Sequence, residues 1–216
     1  MSGGNRSEHQ RSAPLPEQRS DWRKRSVWED RHRTNTTPAA PEPSVVEWLD
    51  LLPRGLALDV AAGAGRHSVA LARVGYKVVA IDYAETALRT LQSIARAEKL
   101  SVWPLLADLS AFAFPPARFD AILNVNFLDR ALVPRLVDAL RPGGGLLLDT
   151  FLIDQAATGH PRNPDFMLQH YELREMLREM DLVRYREGIV AYPDGKSAWR
   201  AAALAIRKSP RTAEGA

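Results

Sequence analysis

The chain has 216 residues, of which 45% are apolar and 25% are charged, and it contains no cysteine. These values are typical of a globular protein with one sizeable core, and they exclude a disulfide framework, a thiolate metal site and a cysteine nucleophile. No apolar stretch is long enough to span a bilayer, and the polar N-terminus lacks the apolar segment of a secretory signal. We therefore expect a cytoplasmic protein with no membrane partner.

The formal net charge of +3 lies entirely in the first 40 residues, which carry eight Lys or Arg and five Asp or Glu. The whole chain has 29 basic and 26 acidic residues, so 21 of each sign remain for the rest. A neutral folded region attracts phosphates only weakly over distance, so nucleic acid is not expected as a partner. We interpret residues 1–20 as a disordered basic leader; contact of this tail with RNA or a membrane is the alternative.

The segment that follows the leader is interpreted as an N-terminal segment and linker, residues 21–43. A short helix that docks through Trp28 is expected within it. Ser44 and Glu47 have the spacing of a capping box, which predicts a helix over residues 45–52 that Pro53 ends.

The most informative stretch covers residues 56–82, where two apolar strands flank a loop of small residues and a helix. The first strand ends at Asp59 and the loop contains Gly63 and Gly65, while the second strand ends at Asp82. In such a βαβ unit, ligands bind beyond the carboxyl ends of the strands. Small residues allow close approach to the backbone, and a carboxylate can accept hydrogen bonds from both ribose hydroxyls. The unit predicts a nucleoside-containing cofactor.

The loop does not have the pattern of a dinucleotide site. The third glycine of Gly-x-Gly-x-x-Gly is replaced by Ser68, and the charge of Asp59 would repel a pyrophosphate. A carboxylate at this position suits a cationic ligand instead.

The remaining chain alternates helices and strands, and it closes with a strand–turn–strand pair around Pro193. Helices are predicted over residues 68–74, 85–98, 132–140 and 171–180, and later strands over residues 102–107, 120–123, 146–149, 182–187 and 198–207. Pro142 and the three glycines after it are expected to end the third of these helices. The order predicts an α/β fold, a doubly wound, Rossmann-like seven-stranded sheet with the last strand antiparallel and helices on both faces.

The run Asp-Val-Ala-Ala-Gly-Ala-Gly over residues 59–65 resembles motif I of the class I methyltransferases that use S-adenosylmethionine. Ala61 stands where that family has its first glycine. The closing strand pair and the Arg-Pro-Gly-Gly segment at 141–144 are also similar to this family, and the resemblance covers about residues 28–208. Within the family, the chain is most similar to the tellurite-resistance (TehB-like) methyltransferases. The segments that carry this likeness are residues 28–33, 58–66, 172–174 and 203–208.

The resemblance implies S-adenosylmethionine as the cofactor and transfers roles to matching residues. Asp59 would lie near the ammonium group, which the Asn124 backbone carbonyl would also receive. Asp82 would bind the ribose hydroxyls, while Tyr83 would lie beside the adenine. The full implied cofactor set is Asp59, Ala61, Gly63, Gly65, Arg66, Asp82, Tyr83, Asp108, Leu109 and Asn124. In this set Asp108 would accept from the adenine amine, and the Leu109 N–H would face the ring.

Methyl transfer from a sulfonium is an in-line displacement that needs alignment and exclusion of water more than acid–base groups. We therefore assign no catalytic residue and no metal. His160 and Arg162, in the long proline-rich segment 151–166, are candidate substrate residues for an anionic or polarised nucleophile. The expected acceptor is a small molecule or an oxyanion.

The domain organisation predicted from these patterns is a methyltransferase domain over residues 44–208, followed by a disordered tail over 209–216. Because the segment before the fold lies over the cofactor in the resembling family, residues 28–33 are expected to act as a lid. Two alternatives remain: an RNA- or protein-directed methyltransferase that docks through its basic tail, and a non-catalytic subunit that binds cofactor. The sequence predicts no oligomeric state.

Overall fold

The computed structural model of the chain describes Glu29 and residues 40–209. The predicted leader, the lid residues other than Glu29, and the tail beyond residue 209 lie outside this part of the chain. Within it, no helix is both long and apolar enough to cross a membrane.

One sheet forms the centre of the fold, with its main strands in the order β3-β2-β1-β4-β5-β8-β7. Strands β1 to β5 are parallel, and β8 runs antiparallel to both β5 and β7. The strands are β1 Leu56–Val60, β2 Lys77–Asp82, β3 Val102–Leu106, β4 Phe119–Val125, β5 Leu140–Leu152, β6 Met167–Leu168, β7 Asp181–Ala191 and β8 Ser197–Ile206. The predicted seven-stranded architecture with an antiparallel last strand is confirmed. The sequence did not predict β6, which adds two residues parallel to the end of β5.

Helices cover both faces of the sheet, as predicted. They are α1 Pro43–Trp48, α2 Arg66–Arg73, α3 Glu85–Ala97, α4 Leu132–Ala139, α5 Gln155–Thr158 and α6 Glu172–Met176. Apolar side chains of α1, α2 and α3 pack on one face, against alternate residues of the central strands. Those of α4 and α6 pack on the other face with the remaining alternate residues. The central strands are thus packed against helices on both faces of the sheet. In folds of this kind, ligands bind beyond the carboxyl ends of the strands.

Three local predictions were wrong, each for a structural reason. The capping box is absent, because α1 begins at Pro43 and Ser44 lies inside the helix, where its hydroxyl donates to the buried Asp149. Helix α4 ends at Ala139 and β5 begins at once, so Pro142 lies inside a strand rather than ending the helix. The late helix is shorter than its apolar pattern, since α6 ends at Met176.

Strand β3 forms one edge of the sheet, and the segment that joins it to β4 contains no helix in the described chain. The edge is apolar and partly open: the side chains of Trp103, Leu105 and Leu106 are exposed. Pro104 lies in the middle of this strand, in register with Ala80 of β2.

Candidate active site

The loop between β1 and α2 has left-handed backbone at three positions: Ala61 (φ 53°), Gly63 (φ 55°) and Gly65 (φ 83°). The Ala62 N–H donates to the Ile81 carbonyl of β2 at 3.0 Å, which fixes the loop across the ends of two neighbouring strands. Left-handed backbone costs a residue with a β-carbon roughly 1–2 kcal/mol. Ala61 thus adopts, at that cost, a backbone conformation that glycine adopts freely.

The carboxylate of Asp82 holds this loop from the adjacent strand end. Its Oδ2 accepts from the Gly63 N–H at 2.7 Å, and its Oδ1 accepts from the Ala84 N–H at 2.8 Å. An ionised carboxylate has about four acceptor positions, and two of them are used here. Each oxygen thus keeps capacity for one further donor, which matches the two adjacent hydroxyls of a ribose.

The second strand-end carboxylate, Asp59, is almost completely buried. Its Oδ2 accepts from the Ser68 hydroxyl at 2.5 Å, so the side chain joins the end of β1 to the first turn of α2. Burial raises the pKa of the Asp59 carboxyl to about 7, although the hydrogen bonds from Ser68 oppose this shift. A cation placed nearby would favour the ionised form.

The predicted adenine-side residues follow β3. The Ala107 N–H donates to the Asp82 carbonyl at 3.0 Å, which places Asp108 and Leu109 next to the end of β2. The exposed Asp108 accepts from the side chain and the backbone of Ser110, and these hydrogen bonds lower its pKa. Leu109 is buried, so a charged, exposed side chain and an apolar, buried one lie next to each other after β3.

A buried ion pair lies at the ends of β5 and β8, where the sequence analysis assigned no role. Arg200 and Asp149 are only 2% and 1% exposed, and the Arg200 Nε donates to the Asp149 Oδ1 at 2.8 Å. Another nitrogen of the same guanidinium donates to the Asn126 side chain at 2.7 Å. The guanidinium also lies 4.6 Å from the centre of the Phe151 ring. These contacts fix the segment that follows β4.

Glu42, just before α1, extends this buried cluster to the first loop. Its carboxylate accepts from Arg66 at 2.9 Å, from Asn126 at 3.1 Å and from the Tyr192 hydroxyl at 2.9 Å. Burial alone would raise the pKa of Glu42, but Arg200, Asn126 and Arg66 together hold it below its ordinary value. The predicted cofactor residue Arg66 is therefore held by a carboxylate from the segment before the sheet.

Comparison with known proteins shows which families and structures the chain is similar to. Residues 57–144 match the family described as methyltransferase domain. TehB of Haemophilus influenzae, a probable S-adenosyl-L-methionine-dependent methyltransferase, is 26% identical over 163 residues, covering 72% of this chain and 55% of TehB. The crystal structure of TehB from that organism has a TM-score of 0.69 at 22% identity and covers 84% of this chain and 67% of that one. The chain is thus similar in sequence and in fold to TehB and contains a segment that matches the methyltransferase domain.

Two other similar proteins have names that state different methyl acceptors. A probable thiol methyltransferase 2 of Arabidopsis thaliana is 28% identical over 148 residues, covering 62% of this chain and 65% of the plant protein. A Burkholderia thailandensis 1,6-didemethyltoxoflavin-N1-methyltransferase, solved with 1,6-didemethyltoxoflavin and S-adenosylhomocysteine, has a TM-score of 0.63 at 22% identity over 85% of each chain. The present chain spans about half the length of the TehB sequence that it matches.

The predicted substrate residues lie on the segment between β5 and β6. His160 and Arg162 are both exposed, and neither side chain has a polar partner among the residues described. Gln155 fixes the beginning of the segment, since it accepts from the Trp199 N–H of β8 at 2.8 Å and donates to the His160 carbonyl at 3.1 Å. The structure therefore brings the predicted cofactor residues together at the sheet edge, while His160 and Arg162 stay outside the buried cluster.

Sequence reasoning missed Arg200, Asp149 and Glu42. One signal was available for the first: Arg200 interrupts an apolar strand, and a buried Arg requires an acidic partner. The identity of that partner depends on the pairing of β5 with β8, which no local pattern specifies.

Proposed function

We propose that this chain binds S-adenosylmethionine across the carboxyl ends of β1, β2 and β4 and transfers its methyl group to a small molecule or an oxyanion. The arrangement of Asp82 carries the proposal. Both of its oxygens are fixed by backbone N–H groups, and both keep capacity for a ribose hydroxyl beside a loop of small residues. Asp59, beneath the same loop, supplies the negative charge that suits a cationic cofactor.

Methyl transfer requires the protein mainly to position the two reactants. When bound, S-adenosylmethionine would supply an electrophilic methyl group on a sulfonium. The acceptor's lone pair forms the new bond as the carbon–sulfur bond breaks, and that electron pair stays on sulfur. The role of this chain's residues is to hold the two reactants in line and to exclude water. A base is needed only for an acceptor that must lose a proton, so we assign none.

A small acceptor is supported by three observations. The chain beyond residue 40 is electrically neutral, which gives no long-range attraction for nucleic acid. One similar structure holds the small molecule 1,6-didemethyltoxoflavin, and another relative is named as a probable thiol methyltransferase. The exposed His160 and Arg162 offer hydrogen-bond donors without partners among the described residues, which would suit an anionic acceptor.

Calorimetry with S-adenosylhomocysteine tests the cofactor. We expect saturable micromolar binding to the full chain and no saturable binding of NAD or NADP. Transfer of a labelled methyl group from S-adenosylmethionine to a fractionated metabolite pool, with added oxyanions and thiols, then tests the acceptor. Binding of NADH in place of S-adenosylhomocysteine would overturn the proposal.

The two alternatives give different results in the same assays. A chain without residues 1–20 should methylate small acceptors as well as the full chain does. Loss of activity toward RNA or protein, restricted to this shortened chain, would instead indicate docking through the basic tail. Binding of cofactor without transfer to any fraction would indicate a non-catalytic subunit.

A further inference from the structure

The side chain of Arg135, on α4, reaches the loop that follows β3. Its guanidinium donates to the Leu109 carbonyl at 3.2 Å, to the Ser110 carbonyl at 3.3 Å and to the Phe112 carbonyl. It also lies 5.3 Å from the centre of the Phe114 ring, a distance typical of a cation–π contact. Between residues 108 and 116, no other described residue outside the loop forms a hydrogen bond with the loop backbone. Arg135 therefore supplies the hydrogen bonds that tie this backbone to the rest of the described chain.

The loop needs donors from outside because it contains no helix. In a helix, each of these carbonyls would accept the backbone N–H four residues further on. Here the chain makes a single turn, in which the Ala111 and Phe112 N–H groups donate to the Asp108 carbonyl at 3.1 and 2.9 Å. A guanidinium has five donors in a fixed planar fork, so one arginine can serve several carbonyls at once. A lysine, with a compact ammonium on a flexible stem, would not hold them in the same geometry.

This loop presents an acceptor and a donor that the described residues leave unused. The Asp108 Oδ1 accepts from the Ser110 hydroxyl at 2.7 Å and from its N–H at 2.9 Å, whereas Oδ2 accepts from no other described residue. The Leu109 N–H likewise donates to none of the described residues. Because the Ala107 N–H donates to the Asp82 carbonyl, this pair lies beside the strand end proposed for the ribose.

Such a pair distinguishes two purines. Adenine carries an amine that donates next to a ring nitrogen that accepts, whereas hypoxanthine carries a carbonyl that accepts next to a ring N–H that donates. The Asp108 carboxylate and the Leu109 N–H complement adenine, and each would meet a like group on hypoxanthine. Discrimination of this kind requires that both groups stay in place, because a polar group left unpaired or opposed is what rejects the wrong ligand.

We propose that Arg135 is a positioning residue that makes the site specific for adenine, an inference that rests on the proposed function. Arg135 acts through the loop, since it holds the carbonyls of Leu109 and Ser110 and thereby fixes the donor and the acceptor beside them. Without the guanidinium the loop can move, and the two groups lose their fixed spacing. Affinity for adenine then falls, and the penalty against hypoxanthine is relieved.

Calorimetry of the full chain with S-adenosylhomocysteine and S-inosylhomocysteine, which has hypoxanthine in place of adenine, measures this specificity. Wild type should bind the adenine ligand about 10- to 100-fold more tightly. In Arg135→Met, the dissociation constant of S-adenosylhomocysteine should rise about 10-fold, while that of S-inosylhomocysteine should stay the same or fall. A merely structural role would weaken both ligands to the same extent.

Arg130→Met is the matched control. Arg130 lies just before the same helix and also donates to two backbone carbonyls, those of Asp165 at 3.4 Å and Met167 at 3.0 Å, but on the segment that leads into β6. This variant should keep the preference for adenine. Arg135→Lys, which keeps the charge without the planar fork, should lose the preference, and it serves if thermal melting shows that Arg135→Met does not fold.

An unchanged preference in a folded Arg135 variant overturns the inference, and so does equal weakening of both ligands. A wild-type protein that binds the two ligands equally overturns it as well. If wild type binds neither ligand, the proposed function itself fails, a result distinct from these.

Discussion

The side chain of Leu91 on α3 occupies the space that a β-carbon on Gly65 would need. An ideal β-carbon there would lie 2.2 Å from the Leu91 Cδ1, and the backbone of Gly65 is left-handed at φ +83°. Leu91 is itself fully buried. The second loop glycine is therefore required by helix packing as well as by backbone conformation, whatever ligand the loop holds.

Gly65→Ala should destabilise the protein by about 1–3 kcal/mol more than Gly75→Ala, because overpacking adds to the backbone strain that both share. Gly75 is the matched control: it also has positive φ, +98°, and no atom lies within 4 Å of its β-carbon position. The free energy of unfolding in urea measures both variants. Equal losses would show that the Leu91 contact relaxes freely.

Asp82→Ala should weaken S-adenosylhomocysteine binding about 10- to 100-fold, because hydrogen bonds to a carboxylate contribute roughly 1.5–3 kcal/mol. Asp120→Asn is a suitable control. Its carboxylate also accepts a backbone N–H, that of Leu56 at 2.7 Å, but at the opposite end of β1. Calorimetry should show a normal dissociation constant for the control. An unchanged constant in a folded Asp82→Ala protein would remove Asp82 from the site.

The free energy of unfolding of the cofactor-free protein should fall as the pH rises, because the pKa of Asp59 is higher in the folded protein than in the unfolded chain. Its folded pKa of about 7 lies above the ordinary 3.8, so the folded protein holds a proton that the unfolded chain has already lost. Between about pH 4 and 7, wild type should lose a few kcal/mol relative to Asp59→Asn, with no further loss above that range.

Urea unfolding of wild type and Asp59→Asn at a series of pH values measures this difference. Saturating S-adenosylmethionine should reduce it, because a nearby ammonium favours the ionised carboxylate. A difference that does not change with pH would mean that Asp59 titrates normally in the folded protein.

Arg200→Met should destabilise the protein by about 3–5 kcal/mol, because it leaves the buried carboxylate of Asp149 without its cation. Adding Asp149→Asn to that variant should recover part of the loss. Chemical denaturation of the single and double variants gives the coupling between the two residues. A loss that is simply additive would show that the buried pair contributes no specific interaction.

The alternation of strands and helices could be predicted because it depends on local signals. Each apolar run ends at a polar residue, as at Asp59 and Asp82, and each helix shows an apolar stripe. The wrong predictions depended on distant partners. The Ser44 hydroxyl donates to Asp149, 105 residues away, and a capping rule that spans four residues cannot anticipate this. Arg200 likewise finds Asp149 only because β8 is inserted beside β5.

Pro104 has a consequence for how this protein behaves at high concentration. The Ser101 carbonyl and the Ala107 N–H both form hydrogen bonds with β2. Because the backbone groups of successive residues in a strand point to alternate sides, the Pro104 nitrogen points away from β2, towards the open edge of the sheet. Proline has no N–H, and an added strand would find no donor at the centre of this edge. The exposed Trp103 and Leu105 beside it would otherwise make the edge a template for intermolecular sheet growth. The Pro104 ring thus disfavours intermolecular sheet growth at this apolar edge.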